Sequence, residues 1–274
     1  EPMSTAKGFL YKHRIEFAVL GVFFAMIAAF AIANPRVFLN YRAYFAVFTT
    51  LGASIVLVTA NVFVVASGEM DLSFPSIIGL SAMVFAVIAR AGANPWIGLV
   101  AALVTGSLCG FLNGMLVTRV GLSSLVSTLG MNFLIRGLIM ILSGGLAIPL
   151  TFLMEKPIWK IFAGTIGAFP VQLLWGLLFA FLGWLLFARH RFGGHVCYTG
   201  DNLTSAKEMG IRVDRVKTLT FMLMGFSAGL VGVLVTLLNN TFWPTTGDGY
   251  LLLILAAVFL GGTPTWGGIG TIWG

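Results

Sequence analysis

Residues 44–66 read YFAVFTTLGASIVLVTANVFVVA, from Tyr44 to Ala66 without one charged side chain, and Ser67-Gly68-Glu69-Met70-Asp71-Leu72-Ser73 follows at once. A helix rises about 1.5 Å per residue, so the first stretch is long enough for the roughly 30 Å hydrocarbon core of a bilayer. The second stretch is short, acidic and glycine-containing, and a further apolar run resumes at Phe74. The pattern predicts two membrane helices with an interruption between them.

Working outward, the same apolar signature recurs along the chain. Eight candidate spans emerge, at about 15–33, 44–66, 74–89, 96–117, 122–142, 171–188, 218–238 and 250–262. The third and eighth are short. Composition agrees with this reading: 58% of residues are hydrophobic, 9% are charged, and the mean hydropathy is +0.99. A soluble domain carries roughly a quarter charged residues, so much of this surface must face lipid. The expectation is an all-α polytopic membrane protein, read as one transmembrane domain over residues 1–274.

The net charge of +7 does not signal nucleic acid, because the basic residues sit in short segments between apolar runs. No basic stripe with interleaved aromatics occurs. With the N-terminus inside, Lys7, Lys12, Arg14, Arg119, Arg189, Arg191, Lys207, Arg212, Arg215 and Lys217 fall in the cytoplasm. Arg36, Arg42, Arg90, Lys156 and Lys160 fall outside. Ten against five predicts a cytoplasmic N-terminus. Cys109 in an apolar run and Cys197 in a basic loop do not suggest a disulfide. His13, His190 and His195 show no zinc spacing. The dipeptide Gly-Lys never occurs, so a phosphate-cradling P-loop is absent. Neither is there a Gly-x-Ser-x-Gly nucleophile elbow. No cofactor and no catalytic site are expected in this chain.

Two connections are long enough to be working parts. The external segment 143–170 contains Pro149, Pro157, Trp159 and Pro170 and should hold a definite shape. The cytoplasmic segment 189–217 is the most polar part of the chain. Within it, Ser205 and Glu208 have capping-box spacing. Gly210 is placed to end a helix, and Asp214 could cap the next one. This predicts a short helix at about 202–212 wedged between two spans, able to pass on a push from a cytoplasmic partner. An ordinary solvated loop accounts for the same residues.

Polar residues inside or beside the spans are the other candidates. Asp71 is costly at the edge of two apolar runs unless it faces water, a partner or a cavity. It and Ser73 either line a solute path or fix the start of the next helix, with Asp71 as its N-cap. Asn61, Asn132 and Arg136 are placed on the same path, although Arg136 could equally snorkel to the external interface. Asn113, beside Gly114, reads as glue between helices.

Several segments, in order, resemble the ribose-type sugar permeases of the ABC importers, within the superfamily that also holds branched-chain amino acid permeases. Gly68-Glu69-Met70-Asp71-Leu72-Ser73 is similar to their Gly-Gly-Ile-Asp-Leu-Ser signature. Asn113-Gly114-Met115-Leu116-Val117 is similar to Asn-Gly-Leu-Leu-Val. Thr128-Leu129-Gly130-Met131 with Arg136-Gly137 and Ser143-Gly144-Gly145 matches a third segment, and Leu260-Gly261-Gly262-Thr263 a fourth. Ala206 and Gly210 keep the spacing of the family's coupling motif, Glu-Ala-Ala, three residues, Gly, with Thr204 and Ser205 where it has Glu and Ala.

The resemblance implies a multi-pass subunit of the bacterial inner membrane in an importer of about ten spans. Two would lie beyond Gly274, where an apolar run is beginning. It implies two cytoplasmic ATPases carrying ATP and Mg, a second permease subunit, and an external solute-binding protein. Thr204, Ser205, Ala206, Lys207, Glu208, Met209 and Gly210 would then couple to the ATPase. The segments 143–170 and 239–249 would dock the binding protein. Permeases for branched-chain amino acids or nucleosides, and gradient-driven transporters, are the competing readings.

Overall fold

Long uncharged runs become helices here because a helix satisfies its own backbone, which lipid cannot do. The computed structural model describes residues 14–38 and 40–273. Lys7, Lys12 and His13, which bear on the expected orientation, lie outside them. By its contacts the chain divides into two units, one ending at Val47 and the other Phe48–Gly274. The first holds α1 (Arg14–Ala33) and the single turn α2 (Pro35–Phe38). Phe30 and Phe38 stack there at 5.8 Å between ring centres.

From α3 (Tyr41–Ala66) onward the helices vary widely in length. They are α4 (Phe74–Arg90), α5 (Pro95–Thr118), α6 (Ser124–Ser143), α7 (Pro157–Ala163), α8 (Val171–Trp184), α9 (Arg191–Asp201), α10 (Leu203–Glu208), α11 (Val213–Asn239) and α12 (Tyr250–Leu260). A π-turn, Leu185–Arg189, prolongs α8. Four two-residue strands, β1 (Ile148–Pro149), β2 (Thr165–Ile166), β3 (Phe169–Pro170) and β4 (Thr241–Phe242), form two small antiparallel pairs, β1 with β4 and β2 with β3.

Among the described residues, five apolar helices are long enough to cross a membrane: α3, α5, α6, α8 with its π-turn, and α11. The other three expected spans fall on shorter apolar helices, Leu20–Ala33, Phe74–Arg90 and Tyr250–Leu260. The polytopic helical class is therefore plain, while length alone does not establish eight crossings.

The centre of the second unit is the pair α5 and α11, and glycine is the reason they pack so closely. A Cβ on Gly106 would meet the Gly225 carbonyl oxygen at 2.2 Å, and one on Gly225 would meet the Gly106 carbonyl oxygen at 2.1 Å. Gly110, one turn on, lies against Phe221 in the same way, also at 2.2 Å. Small residues four apart let two backbones touch where lipid offers no hydrophobic drive to association. Around this seam α4 packs with Phe74, Ile77, Ile78 and Phe85 buried. At the opposite end, Trp159 of α7 donates its indole N–H to Asn240 at 2.8 Å and to the Leu237 carbonyl at 3.1 Å. Together with the β1–β4 ladder, this ties the segment 143–170 to the end of α11.

Candidate functional site

The break after α3 is built from four directions. Ser67 turns its hydroxyl back to the Val64 carbonyl at 2.7 Å. From α6, the Ser124 hydroxyl accepts from the Met70 N–H at 3.2 Å and the Thr128 hydroxyl from the Leu72 N–H at 3.0 Å. From α11, Lys217 pairs with Glu69, and both side chains are only 12% exposed. From beyond α12, the Gly268 N–H donates to the Ala66 carbonyl at 2.9 Å. Backbone freed from a helix at this position is paired instead with side chains of neighbouring helices.

Asp71 lies at the centre of that break, fully buried. One carboxylate oxygen accepts from the Ser73 N–H at 2.7 Å and from the Ser73 hydroxyl at 2.6 Å. The same hydroxyl accepts from the Asn113 amide at 2.7 Å. The other carboxylate oxygen has no partner among the described residues. Ser73, not Asp71, is the N-cap of α4, and it makes no side-chain cap bond. Asp71 instead shapes the turn two residues earlier, which corrects the N-cap expectation. Asn113 is joined to the break as well as being placed between helices.

Beneath the break opens a cavity of about 620 Å³, lined by Glu69, Met70, Ser123, Ser124, Lys207, Asp214 and Lys217 among others. Lys207 belongs to α10, so the coupling candidate and the break share one space. The local geometry of that candidate differs from the expectation in two ways. Asn202 caps α10, its Oδ1 accepting from the N–H groups of Thr204 and Ser205, each at 3.0 Å. Ser205 is therefore inside the helix and not its cap. Asp214 lies in the first turn of α11, whose N-cap position is Arg212. Its carboxylate still opposes the positive end of that helix.

Gly210 ends the turn with φ 78°, the left-handed conformation that other residues resist. Thr204, Lys207, Glu208, Met209 and Gly210 are exposed, while Ala206 is buried with Phe63, Ala66, Val196, Ile211, Val213 and Val216. That small core joins α9 and α10 to the ends of α3 and α11.

The helix α9 had no sequence expectation of its own. Its glycines, Gly193, Gly194 and Gly200, argue against a helix by propensity, but the structure uses two of them for contact. A Cβ on Gly200 would meet the Ala66 carbonyl at 2.0 Å, and one on Gly193 the Phe187 carbonyl at 1.9 Å. The available signal was His190, whose Nδ1 accepts from the Phe192 N–H at 3.1 Å and caps the helix.

Of the remaining path candidates, Asn61 is buried and neither end of its amide finds a partner among the described residues. Asn132 is half-buried, with an unpartnered amide oxygen. Arg136 turns its guanidinium to the segment after α11. One guanidinium nitrogen donates to the Pro244 carbonyl at 2.6 Å and to the Thr246 carbonyl at 3.4 Å, and another pairs with Asp248. It thus draws the segment after α11 inward, where a Cβ on Gly247 would meet the Pro75 carbonyl at 2.0 Å. Residues 240–249 form a second helix break, lying on the first turn of the helix that follows the first break. Within the segment 239–249, Phe242, Pro244, Thr246 and Gly247 are buried, while Asn239, Trp243, Thr245, Asp248 and Gly249 are exposed.

Residues 60–274 match the family described as "Branched-chain amino acid transport system / permease component". The chain is 29% identical over 256 residues to the D-allose transport system permease protein of Escherichia coli (strain K12), covering 92% of this chain and 78% of that protein. It is 32% identical over 228 residues to the autoinducer 2 import system permease protein of Photorhabdus luminescens, covering 82% of this chain and 64% of that one. With the corresponding protein of Yersinia pestis (strain Pestoides F) the figures are 31% over 257 residues, 91% and 71%. The chain thus spans about two thirds to three quarters of the length of these relatives. No solved structure matches it.

Proposed function

The chain belongs to the family of permease components of branched-chain amino acid transport systems, and on that premise we propose that it is the membrane subunit of an ATP-driven importer of a small sugar-like solute. Relatives named for D-allose and autoinducer 2 transport favour a sugar-type solute over a branched-chain amino acid. The chain itself is a permease and not an enzyme. In this reading ATP and Mg act on a separate ATPase subunit, a second permease copy or homologue completes the pathway, and an external binding protein delivers solute. The protein sits in the bacterial inner membrane with its N-terminus and residues 189–217 in the cytoplasm.

One observation carries the mechanism: α10 and its C-cap expose Lys207, Glu208 and Met209, while Ala206 packs on the ends of α3, which leads into the first break, and α11, which is tied to that break by Lys217. An ATPase that grips the exposed residues would move the break with its cavity, and each nucleotide state would favour the conformation it binds better. Asp71, Ser73, Asn61, Asn132 and Arg136 remain the proposed solute-path residues. Paired breaks also occur in secondary transporters, so gradient-driven uptake is the reading to eliminate. The test is purification of the full-length protein from native membranes in mild detergent. A P-loop ATPase that co-purifies, and is lost when residues 207–210 are replaced, supports the proposal. A chain that purifies alone and reconstitutes gradient-driven uptake overturns it.

A further inference from the structure

The pair Arg136–Asp248 does more than brace a loop. Arg136 lies 12 residues beyond Ser124, about 18 Å along α6, a helix of 20 residues. Asp248 is held at the same level, yet 57% of its side chain is exposed against 19% for Arg136. A half-open carboxylate at that depth is costly unless it faces water, a protein partner or a ligand. Moreover, α6 is the least covered of the five long helices.

The surrounding groups share one chemistry. Asn132 precedes Arg136 by one turn, on the same side of α6, and its amide oxygen is buried and has no partner among the described residues. Trp243 opens the loop that Asp248 closes, and two successive turns hold them together: the Thr246 N–H donates to the Trp243 carbonyl at 2.8 Å, and the Asp248 N–H to the Thr245 carbonyl at 3.0 Å. The Trp243 side chain is 53% exposed. Arg136 spends its donors on two carbonyls and one carboxylate, which fixes where Asp248 stands. A positioned carboxylate accepts strongly from hydroxyls, an amide both donates and accepts, and an indole face covers the apolar face of a ring.

We propose that Asp248, Trp243 and Asn132, positioned by Arg136, form a station in the permease that binds a neutral polyhydroxylated ring during translocation. The inference rests on the sugar-importer reading and assigns it a site. Unlike the buried Asp71, Asp248 and Trp243 are open to a passing solute, and Asn132 lies behind them with its oxygen still unpaired.

The experiment reconstitutes the full-length protein with its ATPase and binding protein in vesicles. Radiolabelled D-allose and D-ribose are the probes, and uptake is scored per ATP hydrolysed. Asp248→Asn keeps an oxygen for Arg136 but removes the charge offered to hydroxyls, and Trp243→Ala touches nothing in the brace. Each is expected to lower sugar moved per ATP by about tenfold, with ATPase activity and thermal stability unchanged and with Asp248→Glu recovering part of the loss. If Asp248→Asn does not fold, Trp243→Ala alone decides. Wild-type uptake of sugar matched by both variants sinks the station and leaves the importer reading standing. If the wild type moves neither sugar but does move a branched-chain amino acid, both readings fall.

Discussion

One oxygen of Asp71 holds both the N–H and the hydroxyl of Ser73, so the residue fixes the turn that leads into α4. Replacing it with alanine strands two buried donors, at about 1–3 kcal/mol each. Asp71→Ala should therefore lower the thermal midpoint in detergent sharply, whereas Asp71→Asn keeps an acceptor and should lower it less. Equal losses in the two variants would show that charge, and not the turn, is what matters. Cys197 offers a second residue-scale test. Burial pushes its thiol above the ordinary range, and the thiolate is the reactive form. In a Cys109→Ala background, Cys197 should react with a maleimide more slowly at about pH 8 than free cysteine does. Its rate should keep rising to higher pH, because the thiolate fraction grows only as pH approaches the raised pKa; a rate already level at about pH 8 contradicts this.

Among the elements, the cytoplasmic hairpin of α9 and α10 is where function and stability can be separated. Asn202 caps α10 from an exposed position, and losing such a cap costs about 1 kcal/mol. Gly210 stands in open space with a left-handed φ, and a side chain there costs roughly 1–2 kcal/mol. Asn202→Ala and Gly210→Val should leave the membrane bundle folded but loosen α10, and uptake per ATP should drop more than ATPase activity. Unchanged coupling in both would remove α10 from the mechanism.

The same elements show what could be read beforehand. Apolar length is a property of consecutive residues, so the apolar helices and the break at Gly68–Ser73 were legible, as was the termination at Gly210. The cap at Asn202 was displaced from Ser205 because two residues of capping type compete within one turn. By contrast, α9 was hidden by glycines whose value lies in contact with Ala66 and Phe187. The fold of the second break was not legible locally because its anchor, Arg136, is over a hundred residues away in sequence.

Across the whole molecule the two breaks stand in related surroundings. A long helix, a break and a shorter helix occur as α3 and α4, and again as α11 and α12, with 26 and 17 residues in the first case and 27 and 11 in the second. Gly247 of the second break lies on Pro75, just past the first. The first break is in turn tied to the base of α11 by Glu69 and Lys217. Movement of α11 must therefore shift the first break, and α11 also ends in the second. The ion pair is the link whose charge can be altered without changing the helices. Removing one partner leaves a largely buried charge alone, a loss of about 3–5 kcal/mol for a fully buried pair. Glu69→Lys and Lys217→Glu should each reduce both stability and uptake, and the double exchange should restore much of each, since paired residues are non-additive. If the exchange restores stability but not uptake, the pair only holds the fold, and the breaks move independently. If it restores both, motion at the base of α11 passes through Glu69 to the break that Asp71 shapes.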